Sequence, residues 1–291
     1  MASKKQHGKF EPNAIQMRKI LFLFIVTMGL TTASASTVDT VAIYSPSMQK
    51  TIKCVIIKPD QYNGTTTRYP VAYLLHGYSG SYASWVETAP NLKEYADDHQ
   101  MILVCPDGGY NSWYFDSPIN PERKYETHVS KEVVSYVDDH YRTIPDRNHR
   151  AITGLSMGGH GAFYLGLRHP DVFGAMGSTS GGVDITPFKT NWEISEQIGD
   201  TINHKDNWKN MTIINMIDKY PTDDLSIIFD CGTEDFFYEV NKTLHKKMLE
   251  MHIPHDYIER PGEHNGEYWK NSIEYQLVFF KNYFARNPDE K

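Results

Sequence analysis

Ser156 lies between two glycines in the pentapeptide Gly154-Leu155-Ser156-Met157-Gly158, which has the pattern G-x-S-x-G. A serine hydroxyl is a poor nucleophile at neutral pH unless a neighbouring base removes its proton as it attacks. The short run 150–153 is long enough for a buried strand but too short for a helix, and the small residues after the pentapeptide predict a helix that ends near Arg168. In that setting the motif is typical of a tight, strained turn that exposes the serine oxygen. Ser156 is therefore the candidate nucleophile.

Two polar loops farther along the chain contain the candidate acid and base. Asp235 and His264 each follow one of the last two predicted strands, so nucleophile, acid and base occur in the chain order that goes with this motif. His264 would remove the proton from Ser156, and Asp235 would hold the imidazole in the tautomer that this requires. Glu234 and Asp230 are the alternative acids, although a residue within a strand, such as Asp230, usually points into the sheet.

Backbone N–H groups near Ser156 would bind the negative oxygen of a tetrahedral intermediate. The N–H of Met157, just after the nucleophile, is one expected donor, and the N–H of Tyr78, just after a predicted strand, is the second. The glycines around Tyr78 suit such a loop. We expect His76 to brace this loop and not to transfer protons.

A long aromatic loop follows the fourth predicted strand. We expect Trp113, Tyr114 and Asp116 of this loop to bind substrate, because loop aromatics often contact ligands. Packing in the core is the alternative for Trp113 and Tyr114. His160 lies four residues after Ser156 on the predicted helix, where it would either pack or line the same pocket.

Strands alternate with helices along most of the chain, which predicts an α/β fold with a mostly parallel central sheet and helices on both faces. Catalytic groups then belong on the loops beyond the carboxyl ends of the strands. Residues 183–224 interrupt the alternation and are interpreted as a cap-like insertion over the site. The predicted strands are 38–44, 51–58, 71–75, 101–105, 150–153, 174–179, 225–230 and 255–260, the first two antiparallel, and the predicted helices are 91–99, 126–141, the helix after Ser156, 237–251 and 267–284.

The N-terminal region has the features of an export signal. Met17-Arg18-Lys19 precedes the apolar run 20–30, and an A-x-A sequence ends at Ala35, after which we expect cleavage. Eleven apolar residues are too few to span a bilayer, so no stable membrane insertion is expected. The prediction is therefore a signal region at 1–35 and a single exported catalytic domain at 36–291, periplasmic or secreted. The start at Met1 or Met17 is left open.

Charge and cysteine usage exclude several other classes. Residues 1–35 carry five Lys and Arg and one Glu, so their removal changes the net charge from −7 to −11. Such a surface disfavours nucleic acid as a partner. Buried free thiols are expected at Cys54, Cys105 and Cys231, and no C-x-x-C or H-E-x-x-H spacing indicates a metal. No cofactor is expected, and the oligomeric state is left open.

Five motifs, taken in order from about residue 40 to the end, resemble the esterase D-like family of α/β-hydrolases. The motifs are His76-Gly77-Tyr78-Ser79-Gly80 with Ser84-Trp85, Asn111-Ser112-Trp113-Tyr114 with Asp116-Ser117, Gly154-Leu155-Ser156-Met157-Gly158-Gly159, Gly232-Thr233-Glu234-Asp235, and Gly262-Glu263-His264 with Tyr268-Trp269. The resemblance implies an α/β-hydrolase fold, with the triad at Ser156, Asp235 and His264 and the oxyanion donors at Tyr78 and Met157. The sequence departs from the family at Gly266, where relatives often carry an aromatic residue.

The resemblance also implies the kind of reaction. The family includes feruloyl and acetylxylan esterases, tributyrin esterases, S-formylglutathione hydrolases and mycolyl transferases, so it implies a serine esterase that works through an acyl-enzyme. Export favours acetyl or feruloyl esters on plant polysaccharide as the substrate. A short-chain acyl esterase of the tributyrin type, an S-formylglutathione hydrolase and an acyl transferase are the alternatives, and a non-catalytic carbohydrate-binding module is the alternative from another class.

Overall fold

The computed structural model describes residues 1–3 and 38–286. The predicted signal region lies outside the described residues except for residues 1–3, so its cleavage stays a prediction. No helix among the described residues has the length and hydropathy needed to cross a membrane.

One sheet of eight strands runs through the described part of the chain. The strands are β1 (Val38–Ser45), β2 (Lys50–Ile57), β3 (Val71–Leu75), β4 (Ile102–Pro106), β5 (Arg150–Gly154), β6 (Ala175–Thr179), β7 (Ser226–Gly232) and β8 (Asp256–Arg260). Their order across the sheet is β1-β2-β4-β3-β5-β6-β7-β8. β2 pairs antiparallel with β1 and with β4, whereas all the other neighbours are parallel. The predicted mostly parallel sheet is confirmed.

Helices cover both faces of this sheet. They are α1 (Ser84–Thr88), α2 (Leu92–Asp98), α3 (Tyr125–Thr127), a π-helical segment (His128–Val133), α4 (Val134–His140), α5 (Met157–Arg168), α6 (Ile194–Ile198), α7 (Lys205–Asn210), α8 (Ile213–Met216), α9 (Tyr238–Glu250) and α10 (Gly266–Arg286). Every residue of β3 is buried: Val71, Tyr73 and Leu75 join one apolar cluster with α5 and α9, and Ala72 and Leu74 join a second cluster with α2 and α10. Burial on both faces explains why β3 is apolar throughout its length.

The helix expected over 126–141 is continuous but not uniformly α-helical. Its middle turn, His128–Val133, is π-helical. Within it the Ser130 hydroxyl donates to the carbonyl of Glu126 at 2.7 Å and so competes for a backbone acceptor of the helix. Val129, Val133 and Val137 are buried as the four-residue spacing predicts.

The segment 183–224 forms α6, α7 and α8 with a 3₁₀ turn at Thr186–Phe188. Its apolar residues, including Ile194, Ile198 and Ile213, are buried in the core, while Trp192 lines a cleft beside Ser156. The three cysteines are buried and free, as expected. Cys54 and Cys105 lie on neighbouring strands but belong to clusters on opposite faces of the sheet.

Candidate active site

Ser156 occupies a sharp turn between β5 and α5. Its backbone angles, φ 55° and ψ −117°, are rarely adopted by a residue with a side chain. A Cβ on Gly158 would lie 2.2 Å from the Leu75 carbonyl oxygen, and a Cβ on Gly154 would lie 2.4 Å from the Gly158 oxygen. Both glycines are therefore required for the close approach of strand and helix. The Ser156 N–H donates to the Thr179 carbonyl at 3.0 Å, which fixes the turn to β6.

The structure brings Ser156, His264 and Asp235 together in a hydrogen-bonded row. His264 Nε2 lies 2.9 Å from Ser156 Oγ, and His264 Nδ1 lies 2.8 Å from Asp235 Oδ2 and 3.0 Å from Asp235 Oδ1. Because an ionised carboxylate only accepts hydrogen bonds, Nδ1 carries the proton and the lone pair of Nε2 faces the serine hydroxyl. The side chain of Asp235 is fully buried and that of His264 is 14% exposed. This arrangement can remove the Ser156 proton.

The loops that carry Asp235 and His264 are tied to each other by backbone hydrogen bonds. The N–H of Glu234 donates to the carbonyl of Gly262 at 3.0 Å, and the side chain of Glu234 accepts a hydrogen bond from the Gly262 N–H. That second hydrogen bond lowers the pKa of Glu234. Glu234, an alternative acid in the sequence, therefore stabilises the His264 loop. Asp230, the other alternative, is hydrogen-bonded inside the fold and not to His264.

Two backbone N–H groups are the expected oxyanion donors. Met157 is the first residue of α5, so its N–H points out of the helix end, and Tyr78 lies in the loop that lines the cleft with Ser156. Within the described residues, neither N–H donates to a protein acceptor. Both are thus free to bind a negative oxygen near Ser156.

His76 braces the loop that contains Tyr78. Its Nδ1 lies 2.8 Å from the Gly77 carbonyl oxygen, and its Nε2 accepts a hydrogen bond from the Gly108 N–H at 2.8 Å. Accepting at Nε2 means that Nδ1 carries the proton and donates to Gly77. The ring is buried and both nitrogens are used, so His76 holds the loop and does not face the cleft.

Trp113 and Tyr114 do not line the cleft at Ser156. They pack in the core, which was the alternative to substrate binding for these two residues. Both side chains are buried. The Tyr114 hydroxyl donates to the His76 carbonyl at 3.0 Å, and Trp113 Nε1 donates to the Trp192 carbonyl at 3.3 Å. These residues therefore support the walls of the cleft from behind, where a substrate does not reach.

Asp116 and His160 also lie away from the cleft. Asp116 accepts hydrogen bonds from the N–H and hydroxyl of Thr127, at 3.0 and 2.6 Å, and so stabilises the start of the following helix. His160 is buried, and its Nε2 lies 2.9 Å from the carbonyl oxygen of Met211. Burial lowers the pKa of His160 to about 4. The expectation that these two residues bind substrate is thus not met by their positions.

The cleft beside Ser156 has a volume of about 380 Å³ and is walled by aromatic rings. Phe236 is half exposed, and its ring centre lies 4.1 Å from that of His264. Trp192 stacks on Phe236 at 5.5 Å, and Trp269 packs edge-on against His264 at 5.0 Å. The lining residues are Gly77, Tyr78, Ser79, Gly80, Ser84, Thr88, Leu155, Ser156, Trp192, Phe236, His264 and Trp269.

Sequence reasoning did not single out Trp192, Phe236 and Trp269 as cleft residues. Phe236 directly follows Asp235 and Trp269 lies in the first turn of α10, so proximity to the acid and base was the available signal. For Trp192, the available signal was the presence of an aromatic residue within a polar insertion. The missing side chain at Gly266 leaves space here, since a Cβ would lie 3.7 Å from Thr88, its nearest neighbour.

Comparison with known proteins shows the family of this chain. Residues 45–280 match the model of the Esterase family, described as "Putative esterase". An esterase of Mycobacterium tuberculosis is 24% identical over 235 residues, which cover 72% of this chain and 51% of that protein. The endo-1,4-beta-xylanase/feruloyl esterase of Xylanibacter ruminicola is 32% identical over 126 residues, 41% of this chain and 17% of that protein. The chain thus spans about half the length of the first of these relatives, and less of the second.

A solved structure of a ferulic acid esterase has the same fold. It superposes with a TM-score of 0.75 at 29% identity, covering 86% of this chain and 98% of that one. The eight-stranded, mostly parallel sheet, the turn at Ser156 and the family match over residues 45–280 agree with one another. The chain therefore belongs to the Esterase family and has the α/β-hydrolase fold.

Proposed function

We propose that this protein is an exported serine carboxylic-ester hydrolase that removes acetyl or feruloyl groups from plant polysaccharide. The proposal rests on the row of hydrogen bonds from Ser156 Oγ through His264 to Asp235. Family membership supports the ester chemistry. The signal-like sequence at residues 17–35 supports export.

In the first half of the reaction, Ser156 Oγ attacks the carbonyl carbon of the ester while His264 Nε2 takes the hydroxyl proton. The carbonyl oxygen becomes an oxyanion, which the N–H groups of Tyr78 and Met157 stabilise. Asp235 stabilises the imidazolium and keeps it oriented. When the tetrahedral intermediate collapses, His264 gives the proton to the departing alcohol, and the acyl group stays on Ser156.

In the second half, water replaces the alcohol. His264 removes a proton from the water as its oxygen attacks the acyl carbon, and the same N–H groups stabilise the second oxyanion. Collapse returns the proton to Ser156 Oγ and releases the carboxylic acid. An acyl transferase would differ only in that a second alcohol takes the place of water.

The walls of the cleft favour an aromatic acyl group. Trp192, Phe236, Trp269 and Tyr78 line the cleft with Ser156, and among the residues that the structure describes there, none is a lysine, arginine, aspartate or glutamate. Planar rings stack well on such surfaces. The similarity to two proteins named as feruloyl or ferulic acid esterases supports the same acyl group.

A substrate panel tests the proposal. The wild type is assayed on methyl ferulate, acetylated xylan, tributyrin and S-formylglutathione, beside Ser156→Ala and the matched control Ser135→Ala on an exposed helix surface. We expect highest kcat/KM on methyl ferulate or acetylated xylan, and a fall of at least roughly a thousand-fold in Ser156→Ala only. A preference for S-formylglutathione or tributyrin would contradict the proposed substrate class, and full activity of Ser156→Ala would contradict the proposed mechanism.

A further inference from the structure

Asp230 is a buried carboxylate that the proposed mechanism does not use. It lies in β7, five residues before Asp235, and is fully buried. Its hydrogen-bond partners do not include His264 or Ser156. An ionisable group placed in the core of a fold needs an explanation, because burial disfavours its charge unless partners compensate.

The carboxylate of Asp230 joins helix α10 to the sheet. One oxygen accepts a hydrogen bond from the Ser272 hydroxyl. The other accepts from Gln276 Nε2 at 2.8 Å and from Thr179 Oγ1 at 3.0 Å. Gln276 in turn accepts a hydrogen bond from the hydroxyl of Thr153 on β5. The network therefore connects α10 to three neighbouring strands, β5, β6 and β7.

Apolar side chains flank this network, although Arg260 and Tyr268 also interact with Asp230. Ile273 and Leu277 of α10 and Ile228 of β7 belong to the same buried cluster and flank the polar residues in sequence. Burial raises the pKa of Asp230, whereas the hydrogen bonds from Ser272 and Gln276 oppose this rise. Apolar contacts are non-directional and tolerate sliding of a helix along a sheet. Directed hydrogen bonds in such a layer specify one register.

The register of α10 matters because His264 precedes the first residue of this helix by two positions. Ser272 and Gln276 are four residues apart and lie on one face of α10, so a shift of one residue would break both hydrogen bonds to Asp230. The same network reaches the nucleophile, since the carbonyl of Thr179 accepts the Ser156 N–H at 3.0 Å.

We propose that Asp230 is a positioning residue: it fixes α10, and through α10 the imidazole of His264, against the strand ends that carry Ser156 and Asp235. The inference rests on the proposed function, because it assigns a role to Asp230 only if His264 acts on Ser156. Displacement of a catalytic group by about 1 Å can lower a rate by about a hundred-fold. Loss of Asp230 should therefore affect the chemical step more than substrate binding.

Three variants test this role. Asp230→Ala removes the network, Asp230→Asn keeps a side chain of the same shape that can still hydrogen-bond, and Asp138→Ala is the control. Asp138 is a mostly buried carboxylate that pairs with Arg150 at 2.7 Å, at the opposite end of β5 from Ser156. Active sites are counted with a fluorophosphonate, so that kcat is expressed per reactive serine, and thermal unfolding is measured in parallel.

We expect Asp230→Ala to lower kcat per active site by about ten- to a hundred-fold with KM changed less than about threefold. Asp230→Asn should recover most of that loss, and Asp138→Ala should lose thermal stability but keep its kcat per site. Wild-type kcat per site in Asp230→Ala, or an equal loss in Asp138→Ala, would overturn the proposal.

Gln276→Ala keeps the proposal testable if Asp230→Ala does not fold, because it removes one hydrogen bond to Asp230 and the link to Thr153. It should show a smaller loss of kcat of the same kind, and an unchanged kcat would count against the network. Failure of the proposed function is distinguishable, because it would appear as full activity in Ser156→Ala, whatever the Asp230 variants do.

Discussion

Acidification should destabilise the fold through His160. This imidazole is fully buried and its ring lies 5.3 to 6.1 Å from those of Trp113, Phe115 and Tyr164. Its Nε2 donates to the Met211 carbonyl, and its Nδ1 has no hydrogen-bond partner among the described residues. A second proton on the ring would therefore be both buried and unpaired. Burial accordingly lowers the pKa of His160 from 6.5 to about 4.

The sign and size of the effect follow from these two pKa values. The unfolded chain binds a proton at this position below about pH 6.5, and the folded protein does so only below about pH 4. The contribution of His160 to the free energy of unfolding is therefore fully present above about pH 6.5, and it is lost as the pH drops toward about 4. At about 1.36 kcal/mol per pKa unit the whole loss is about 3 kcal/mol, of which about 2 kcal/mol is reached at pH 5.

Urea unfolding followed by tryptophan fluorescence measures this loss. The free energy of unfolding is determined at about pH 8 and about pH 5 for the wild type and for His160→Gln, whose amide can still donate toward Met211. His128, whose pKa is also lowered by burial, titrates in both proteins and cancels in the comparison. The wild type should lose about 2 kcal/mol more than His160→Gln. Equal pH dependence in the two proteins would refute the reasoning.

Three further predictions concern the nucleophile turn, the acid and export. Asp235→Asn should lower kcat by about 10⁴ with little change in KM, because an amide favours the wrong imidazole tautomer; a loss below about tenfold would assign the acid elsewhere. Gly158→Ala should lower the midpoint of thermal unfolding or prevent folding, because its Cβ would lie 2.2 Å from the Leu75 oxygen; a wild-type melting curve would contradict this close approach. N-terminal sequencing of protein recovered outside the cytoplasm should begin at Ser36, and retention of residues 1–35 would contradict cleavage after Ala35.

The fold and the three side chains at Ser156 could be predicted because their signals are local. A buried parallel strand is an apolar run, and the G-x-S-x-G turn needs glycines where the strand and helix approach most closely. The chain order of Asp235 and His264, each after its own strand, then follows from the connectivity of a doubly wound sheet. These features depend on short stretches of sequence and on one topological rule.

The walls of the cleft could not be predicted in the same way. Trp192, Phe236 and Trp269 come from three separate segments and meet only through tertiary packing. Trp113 and Tyr114 are residues of the types that often bind ligands, yet segment 183–224 and the loop at His76 cover them. Aromatic residues serve packing and binding equally well, so their role is decided by what lies over them.

Trapping the acyl-enzyme tests the central claim most directly. The protein is mixed with p-nitrophenyl acetate, quenched in acid during turnover, digested and analysed by mass spectrometry. We predict one acetyl group on the peptide that contains Ser156, and a strongly reduced rate of its formation in His264→Ala, whose imidazole lies 2.9 Å from Ser156 Oγ in the wild type. Turnover with no acetyl group on Ser156, or acetylation of Ser156 at the wild-type rate without His264, would contradict the account.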